Sequence, residues 1–403
     1  MAVSESPDAP SIHRQSSNAA DGAPALDVHA HAMPLPLLER LAARGLADVS
    51  AVPQGIVRLD PRVSGVGPGA PLPLAKSQYD VRVRLTEMDE VGATIHAVSL
   101  PPFLFCTTSD DESFATGIVT EGNDELAQYV AQAPDRLLGL GYVPLGWPGV
   151  ADEARRVLDD LGLARIAIGS QGGGKDLDDP VNDALWALLS ERGTFTFLHP
   201  SGMPAGPRLK DFWMPQLVGY PMETAIAVAR LTFGRVLERF PFHLCLAHGA
   251  GCVPSLRGRM DMGWNRKDVA RTTAVPPSEF VDRLYYDTAV FNSMMLARIV
   301  EDVGADHVML GTDHPFELGD FTPPANGGRP MPGRRRQAGD PLGQRGRTSR
   351  AERPRRRPSS AARPPFPARI NMAGADERRG YGNGVTGVND FIRAAEDDPR
   401  GGR

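Results

Sequence analysis

The chain has 403 residues, of which 41% are hydrophobic and 23% are charged, an ordinary globular composition with room for one large domain or two smaller ones. The formal net charge of −5 argues against a nucleic-acid-binding protein, and no apolar run is long enough for a membrane span. The three cysteines, Cys106, Cys245 and Cys252, give no disulfide framework. Because the N-terminus also lacks the basic start and apolar run of a signal peptide, we expect a soluble, cytoplasmic protein.

A leader of residues 1–25, rich in Ser, Asp, Ala and Pro, is predicted to be disordered. Eight β-rich runs follow it, at residues 26–31, 94–100, 137–145, 165–170, 194–199, 243–248, 284–290 and 307–313. Helical periodicity separates most of them, at residues 80–91, 150–161, 181–192, 222–240 and 292–303. The Pro- and Gly-rich segment 52–74 is predicted to be a loop and a candidate lid over the active site.

Strands that alternate with helices imply parallel pairing, and eight such units over roughly 290 residues match a closed (β/α)₈ TIM-type barrel. A doubly wound sheet is the rival fold, but it usually carries a glycine-rich phosphate turn after its first strand. Here the first strand ends in His29-Ala-His31 instead. The glycine run 172–174 lacks the P-loop spacing and is interpreted as a flexible loop. The sequence therefore predicts one barrel domain over residues 26–320.

Five side chains of the metal-binding type lie at the ends of predicted strands. His29 and His31 are two residues apart in a strand, so both imidazoles point to the same side. His199, His248 and Asp313 close the fifth, sixth and eighth strands, at the end of a barrel where active sites are built. A single His-x-His, or one histidine at a strand end, is more often structural than metal-binding. The five together predict a metal site, and imidazole plus carboxylate suits Zn²⁺, with Mn²⁺ or Fe²⁺ as alternatives.

Four motifs occur in order along the chain: Asp27-Val-His-Ala-His31, Leu198-His-Pro200, Ala247-His-Gly-Ala-Gly251 and Gly311-Thr-Asp-His-Pro315. They resemble the motifs of the amidohydrolase superfamily and, more narrowly, of its aminocarboxymuconate-semialdehyde decarboxylase branch. Residues 84–92, 212–224 and 286–288 support the narrower resemblance, which covers about residues 26–320.

The resemblance implies a role for each site residue. His29, His31, His199 and Asp313 match the ligands of a single Zn²⁺ per chain, and His248 matches the histidine that handles a proton. Arg84 and Arg259 match arginines that bind substrate carboxylates, the second supplied by the neighbouring subunit of a homodimer. The fourth predicted strand carries no lysine to bridge two metals, which favours one metal. Ser201 stands where this branch usually has an aromatic residue, and His314 stands where it usually has a tyrosine. Because of these two differences, the resemblance does not identify the substrate.

Three functional hypotheses remain at this point. A bound Zn²⁺ can lower the pKa of its water towards about 7, and His248 can act as general acid or base beside it. The branch motifs favour a non-oxidative decarboxylase of an unsaturated or aromatic carboxylic acid, with a small-molecule carboxylate as substrate. The alternatives are a metal-dependent hydrolase of an amide or lactone, and an inactive barrel that lacks its C-terminal helices.

The last part of the chain, residues 321–403, breaks the barrel pattern. Residues 327–403 hold 18 Arg, no Lys and 8 acidic residues, a net charge of about +10. Pro and Arg clusters such as 334–336 and 353–358 cannot form the amphipathic helix that covers the last strand of a barrel. A solvated basic tail is one interpretation, and a nucleic-acid-binding tail is disfavoured by the scarcity of aromatic residues. We prefer a reading-frame shift near residue 325 that replaced the C-terminal helices, so that the covering helix is missing.

Overall fold

In the computed structural model, which describes residues 25–163, 165–202 and 206–319, eight parallel strands form one sheet. The strands, numbered β1 to β8, are Leu26–His31, Ile95–Ser99, Leu137–Tyr142, Arg165–Ile168, Phe195–Leu198, His243–Leu246, Tyr285–Asp287 and Val308–Met309. Each strand pairs in parallel with the next one along the chain, so the sheet order is the chain order. Each of these eight strands lies within the range predicted for it.

The first and last strands meet and nearly close the sheet into a barrel. The backbone N–H of His31 donates to the carbonyl of His314 at 2.8 Å. The buried carboxylate of Asp27 accepts a hydrogen bond from the Thr312 hydroxyl at 2.5 Å. The predicted (β/α)₈ barrel is confirmed.

Helices connect the strands. The longer helices of the described ranges, numbered α1 to α8, are Leu35–Ala43, Val81–Val91, Glu112–Val130, Val150–Arg155, Asp183–Arg192, Tyr220–Phe233, Val253–Arg266 and Ser293–Val303. Four-residue helices lie at Pro61–Ser64, Val236–Arg239 and Ser278–Val281. No helix was specifically predicted at α1, α3 or α7. In α7 the periodicity is masked by Pro254, Gly258 and Gly263, because proline and glycine lower helix propensity.

Helix α2 begins and ends at residues suited to its caps. The Asp80 side chain accepts a hydrogen bond from the N–H of Arg82 at 3.0 Å, which satisfies a free donor of the first turn. The helix ends at Gly92, whose φ of +76° is a left-handed conformation that glycine adopts without strain. The buried residues of α2 are Val81, Arg84 and Met88. Their spacing of three and four residues places an arginine on the face that packs into the protein.

The core has two parts. A large apolar cluster lies between the sheet and the helices, and a smaller one fills the barrel. The buried members of the smaller cluster are Val28, Ala97, Leu140, Ala167, Phe195, Phe197, Cys245, Ala247 and Met309. The ring of Phe197 lies 5.0 Å from that of His29, so this apolar layer packs directly against the first of the candidate metal ligands.

The segment between β1 and β2 corrects one prediction. Residues 52–74 were expected to be a loop, but they contribute strands to a three-stranded antiparallel sheet of Ala47–Asp48, Ile56–Leu59 and Leu72–Pro73. Val57, Leu59 and Leu74 are buried in the main core, so the segment packs against the protein despite its many prolines and glycines. Its suggested role as a lid stays a prediction.

Other predictions concern residues that the structure does not describe. The disordered leader, except for residue 25, and the Arg-rich tail with its missing covering helix lie outside the described residues. Among the residues that are described, no helix is both long and apolar enough to cross a membrane.

Candidate metal centre

Three histidines and one aspartate converge at the C-terminal ends of the barrel strands. His29 and His31 are in β1, His199 directly follows β5, and Asp313 lies four residues beyond the end of β8. Each offers one ligand atom, and these atoms all lie within 4.8 Å of one another. All four residues are buried, so the cluster sits inside the barrel mouth and not on the surface.

Two of the site residues lie where the backbone leaves the sheet. His248 and Asp313 have φ angles of +58° and +61°, a left-handed region that residues other than glycine rarely occupy. Strands cannot continue through this conformation, so β6 and β8 cannot include the residues that close their predicted ranges. Such strained positions concentrate at functional sites, where surrounding structure holds them.

The ligand atoms are unsatisfied in a way that fits a bound cation. The Nε2 atoms of His29 and His31 lie 3.2 and 3.4 Å from Oδ1 of Asp313. None of these three buried atoms has a hydrogen-bond partner among the described residues. Buried polar atoms are normally paired, so this convergence of lone pairs is what a divalent metal would satisfy.

The other ring nitrogen of each ligand histidine faces an oxygen of the protein. Nδ1 of His31 lies 3.2 Å from the Ser99 hydroxyl, and Nδ1 of His199 lies 2.9 Å from the Pro200 carbonyl. A proton held on Nδ1 by an acceptor leaves Nε2 with its lone pair free, which is the tautomer that a metal requires.

The charged and titratable groups of the cluster change one another's pKa values. Burial lowers the pKa of His31 to about 4 and that of His199 well below its usual value, so both imidazoles are neutral ligands at pH 7. Burial also acts to lower the pKa of His29, but the charge of Asp313 and the hydrogen bond to Asp287 outweigh it and raise the pKa to about 10. The neighbouring His29 in turn holds the pKa of Asp313 well below its usual range despite burial. The site therefore favours a positive charge at its centre.

Asp287, the last residue of β7, is the functional residue that the sequence reasoning did not assign. Its Oδ2 lies 2.6 Å from Nδ1 of His29, and its Oδ1 accepts hydrogen bonds from the N–H of Gly249 at 2.7 Å and of Ala289 at 3.1 Å. A Cβ at Gly311 would lie 2.7 Å from the Cβ of Asp287, so glycine is needed for this close approach. A carboxylate that orients a ligand histidine is the usual companion of a metal site.

His248 lies beside the ligands and has a different environment from them. Its ring is 5.0 Å from that of His199, and its Nε2 is 3.8 Å from Oδ2 of Asp313. Its side chain is 15% exposed, more than that of His29 or Asp313, so it sits at the rim of the cluster. The structure thus places His248 beside the four-residue cluster, and its role in proton transfer stays a prediction.

The two arginines are placed differently from the other site residues. Arg84 is fully buried under β1, where it donates to the carbonyls of His31 and Ser77 and to the Tyr129 hydroxyl. Arg259 is exposed on α7. Within the described part of the chain, neither arginine forms a hydrogen bond or ion pair with a ligand side chain. Their role in substrate binding stays a prediction.

The site and the fold agree with a comparison against known families. A family model described as amidohydrolase matches residues 26–335, most of the chain and slightly more than the predicted barrel domain. The chain belongs to the amidohydrolase family. The cluster of three histidines and one aspartate at the strand ends is accordingly a divalent-metal site of this family.

Individual relatives are decarboxylases by name. The chain is 34% identical over 249 residues to 2-amino-3-carboxymuconate-6-semialdehyde decarboxylase of Dictyostelium discoideum, an alignment covering 61% of this chain and 69% of that protein. It is 25% identical over 263 residues to gamma-resorcylate decarboxylase of a Rhizobium species, covering 59% of this chain and 77% of that protein. The crystal structure of 5-carboxyvanillate decarboxylase from Sphingomonas paucimobilis shares the fold, with a TM-score of 0.60, 24% identity, and coverage of 72% of this chain and 89% of that one.

Proposed function

We propose that this protein is a metal-dependent, non-oxidative decarboxylase of an aromatic or unsaturated carboxylic acid. One observation carries the proposal: a buried cluster of three histidines and an aspartate, with a fourth histidine beside it, in a chain 34% identical to a named decarboxylase. The reaction breaks the bond between the substrate and its carboxylate, leaves the electron pair on the substrate carbon, and puts a proton there as CO₂ departs.

His29, His31, His199 and Asp313 would hold one divalent cation, Zn²⁺ by preference and Mn²⁺ as the alternative, because both accept imidazole and carboxylate ligands. When bound, the cation supplies a positive charge that orients the substrate carboxylate and stabilises negative charge as the carbon–carbon bond breaks. The apolar layer beneath the ligands excludes water from below, which strengthens these electrostatic interactions.

His248 is the group we propose for proton transfer. Its imidazole is next to the cluster without being one of the four converging ligands. Its Nδ1 is buried and has no hydrogen-bond partner among the described residues, so the ring is not committed to a structural bond there. A histidine in this position can deliver the proton that replaces the departing carboxylate.

Aromatic side chains around the ligands support a planar substrate. Tyr220 stacks nearly parallel to His248, with ring centroids 6.4 Å apart, and the ring of Phe316 lies 5.3 Å from that of His31. Burial raises the pKa of Tyr220 to about 12, so its phenol is neutral at pH 7. Flat aromatic walls with a neutral hydroxyl favour an aromatic or conjugated acid over an aliphatic one.

A homodimer completes the proposal, with Arg259 reaching the neighbour's substrate carboxylate. Arg259 is on α7, which packs against α6. Large apolar side chains on and before these two helices are exposed: Phe212 by 87%, Leu217 by 52% and Met262 by 48%. Exposed apolar patches of this kind mark association surfaces, and a second copy would bury them around the exposed arginine.

Isotope labelling distinguishes decarboxylation from hydrolysis. The metal-loaded enzyme is incubated in D₂O with candidate hydroxybenzoates and carboxymuconate-type semialdehydes whose carboxyl carbon is ¹³C. We expect release of ¹³CO₂ and one deuterium on the product carbon that lost it. Incorporation of ¹⁸O from labelled water into the product of a lactone or amide, without CO₂ release, would contradict the proposal and identify a hydrolase.

A further inference from the structure

The fully buried guanidinium of Arg84 has no carboxylate partner among its observed hydrogen bonds. It donates to the backbone carbonyls of His31 and Ser77, to the Tyr129 hydroxyl at 2.8 Å, and lies 3.3 Å from Nδ1 of His96. A buried cation is costly unless its donors find partners, and here partners from four separate segments contact all three nitrogens of the guanidinium. The guanidinium is therefore already engaged by the protein at each of its three nitrogens.

Glu87 lies about one helical turn further along α2 and makes a second contact between this helix and the barrel. Its Oε2 lies 2.8 Å from Nε2 of His314, the residue after the ligand Asp313. The interaction with His314 lowers the pKa of Glu87, so the carboxylate is ionised. Residues three apart on a helix are neighbours on its surface, and Arg84 and Glu87 therefore act on adjacent parts of the barrel.

Those two parts are the ends of the seam where the barrel closes. Arg84 holds the carbonyl of His31 at the end of β1, and Glu87 holds His314 just beyond β8. Direct hydrogen bonds across the seam run from the N–H groups of Val28 and His31 to the carbonyls of Leu310 and His314, both at 2.8 Å, and from Thr312 to the Asp27 carboxylate. Two metal ligands, His31 and Asp313, sit on opposite sides of this seam, so its geometry sets their separation.

We propose that Arg84 and Glu87 form a clamp on α2 that fixes the metal ligands of β1 and β8 relative to each other. Arg84 is then a positioning residue and does not contact the substrate. The inference depends on the metal site and is independent of which substrate the enzyme decarboxylates. It differs from the role that the resemblance implies for Arg84, and the two roles predict different measurements.

The test measures Zn²⁺ affinity of apoprotein by competition with a chromogenic chelator, and KM with a substrate found active. The variants are Arg84→Lys, Arg84→Gln and Glu87→Gln. Arg136→Gln is the matched control, because Arg136, the residue before β3, also contacts α2: it donates to the Asp89 carboxylate and to the carbonyls of Ala93 and Thr94 in the loop that leads into β2. These contacts lie at the N-terminal ends of β2 and β3, the end of the barrel opposite the metal site.

We expect Zn²⁺ affinity to fall by roughly 10- to 100-fold in the clamp variants, the usual effect of removing groups that orient metal ligands. Arg136→Gln should lower Tm and leave Zn²⁺ affinity unchanged. Glu87 is only partly buried, so Glu87→Gln keeps the test readable if an Arg84 variant does not fold. Wild-type Zn²⁺ affinity in Glu87→Gln and in any folded Arg84 variant would overturn the clamp. A raised KM with unchanged affinity would restore Arg84 to substrate binding. Because Zn²⁺ affinity is read without turnover, failure of the proposed decarboxylation would leave this result intact.

Discussion

At the residue scale, the four ligand side chains enclose one point, and each should be necessary for the cation. We expect His199→Ala and Asp313→Ala to lose both bound metal and activity, since three remaining ligands hold a divalent ion weakly. His307→Ala is the control, because His307 bonds the Leu284 carbonyl at the opposite end of the barrel. Metal content measured by elemental analysis decides the matter, and unchanged content in both ligand variants would refute the site.

His248 should separate metal binding from chemistry. We expect His248→Ala to keep most of the metal and to lose kcat by roughly 10²- to 10⁴-fold, the usual contribution of a general acid or base. Metal content and steady-state kinetics are measured on the same preparation. Loss of metal equal to that of His199→Ala would make His248 a ligand, and an unchanged kcat would make it structural.

Sequence patterns were sufficient to predict the candidate metal ligands, but not the residues that hold these ligands in place. His29 and His31 follow from the two-residue period of a strand, and His199 from its position at a strand end. Asp287 was noted only as part of a motif, because its role depends on a 2.6 Å approach to a residue 258 positions away. The burial of Arg84 was equally hidden, since a charged residue in a helix is usually on its solvent face.

At the scale of the elements, strand β7 carries the carboxylate that orients His29. We expect Asp287→Asn to weaken Zn²⁺ affinity by roughly 10- to 100-fold, because the amide is neutral and holds the ring nitrogen less firmly. Asp282→Asn provides a matched control, as Asp282 pairs with Arg257 outside the site. Equal Zn²⁺ affinities for the two variants, measured by chelator competition, would show that Asp287 does not tune the metal.

Element positions were predicted better than element lengths. All eight strands were located, since each is a short apolar run between helical segments. The predicted C-terminal ends were one to four residues too late for every strand except β1, and at β6 and β8 they ran on to His248 and Asp313, where the backbone has a positive φ. A positive φ at a residue other than glycine depends on tertiary contacts, so composition gives no sign of it. The antiparallel sheet within residues 47–73 was missed for a related reason, because its strands are only two to four residues long.

At the scale of the whole molecule, a shared active site predicts complementation between subunits. Arg259→Ala and His199→Ala homodimers should both be inactive. After subunit exchange, activity should recover to about a quarter of wild type, because half of the randomly formed dimers are hybrids with one intact site. Exchange is verified by mass spectrometry of differently tagged subunits. No recovery in verified hybrids would mean that Arg259 does not serve a neighbour's site.

The frameshift proposed for the tail is tested on the gene. We expect one of the other two reading frames downstream of codon 325 to encode an amphipathic helix that could cover β8, as the barrel architecture requires. A chain with that sequence in place of residues 325–403 should have a higher Tm than the present one. Early stop codons in both frames would contradict the frameshift.

The most direct test of the whole account is CO₂ release that depends on the metal. One preparation is assayed with an active aromatic or conjugated acid as purified, after removal of the metal by a chelator, and after Zn²⁺ or Mn²⁺ is restored. We predict CO₂ release that disappears with the metal, returns at about one equivalent per chain, and is nearly abolished in a metal-loaded His248→Ala variant. CO₂ release at an unchanged rate from the metal-free enzyme would contradict the account.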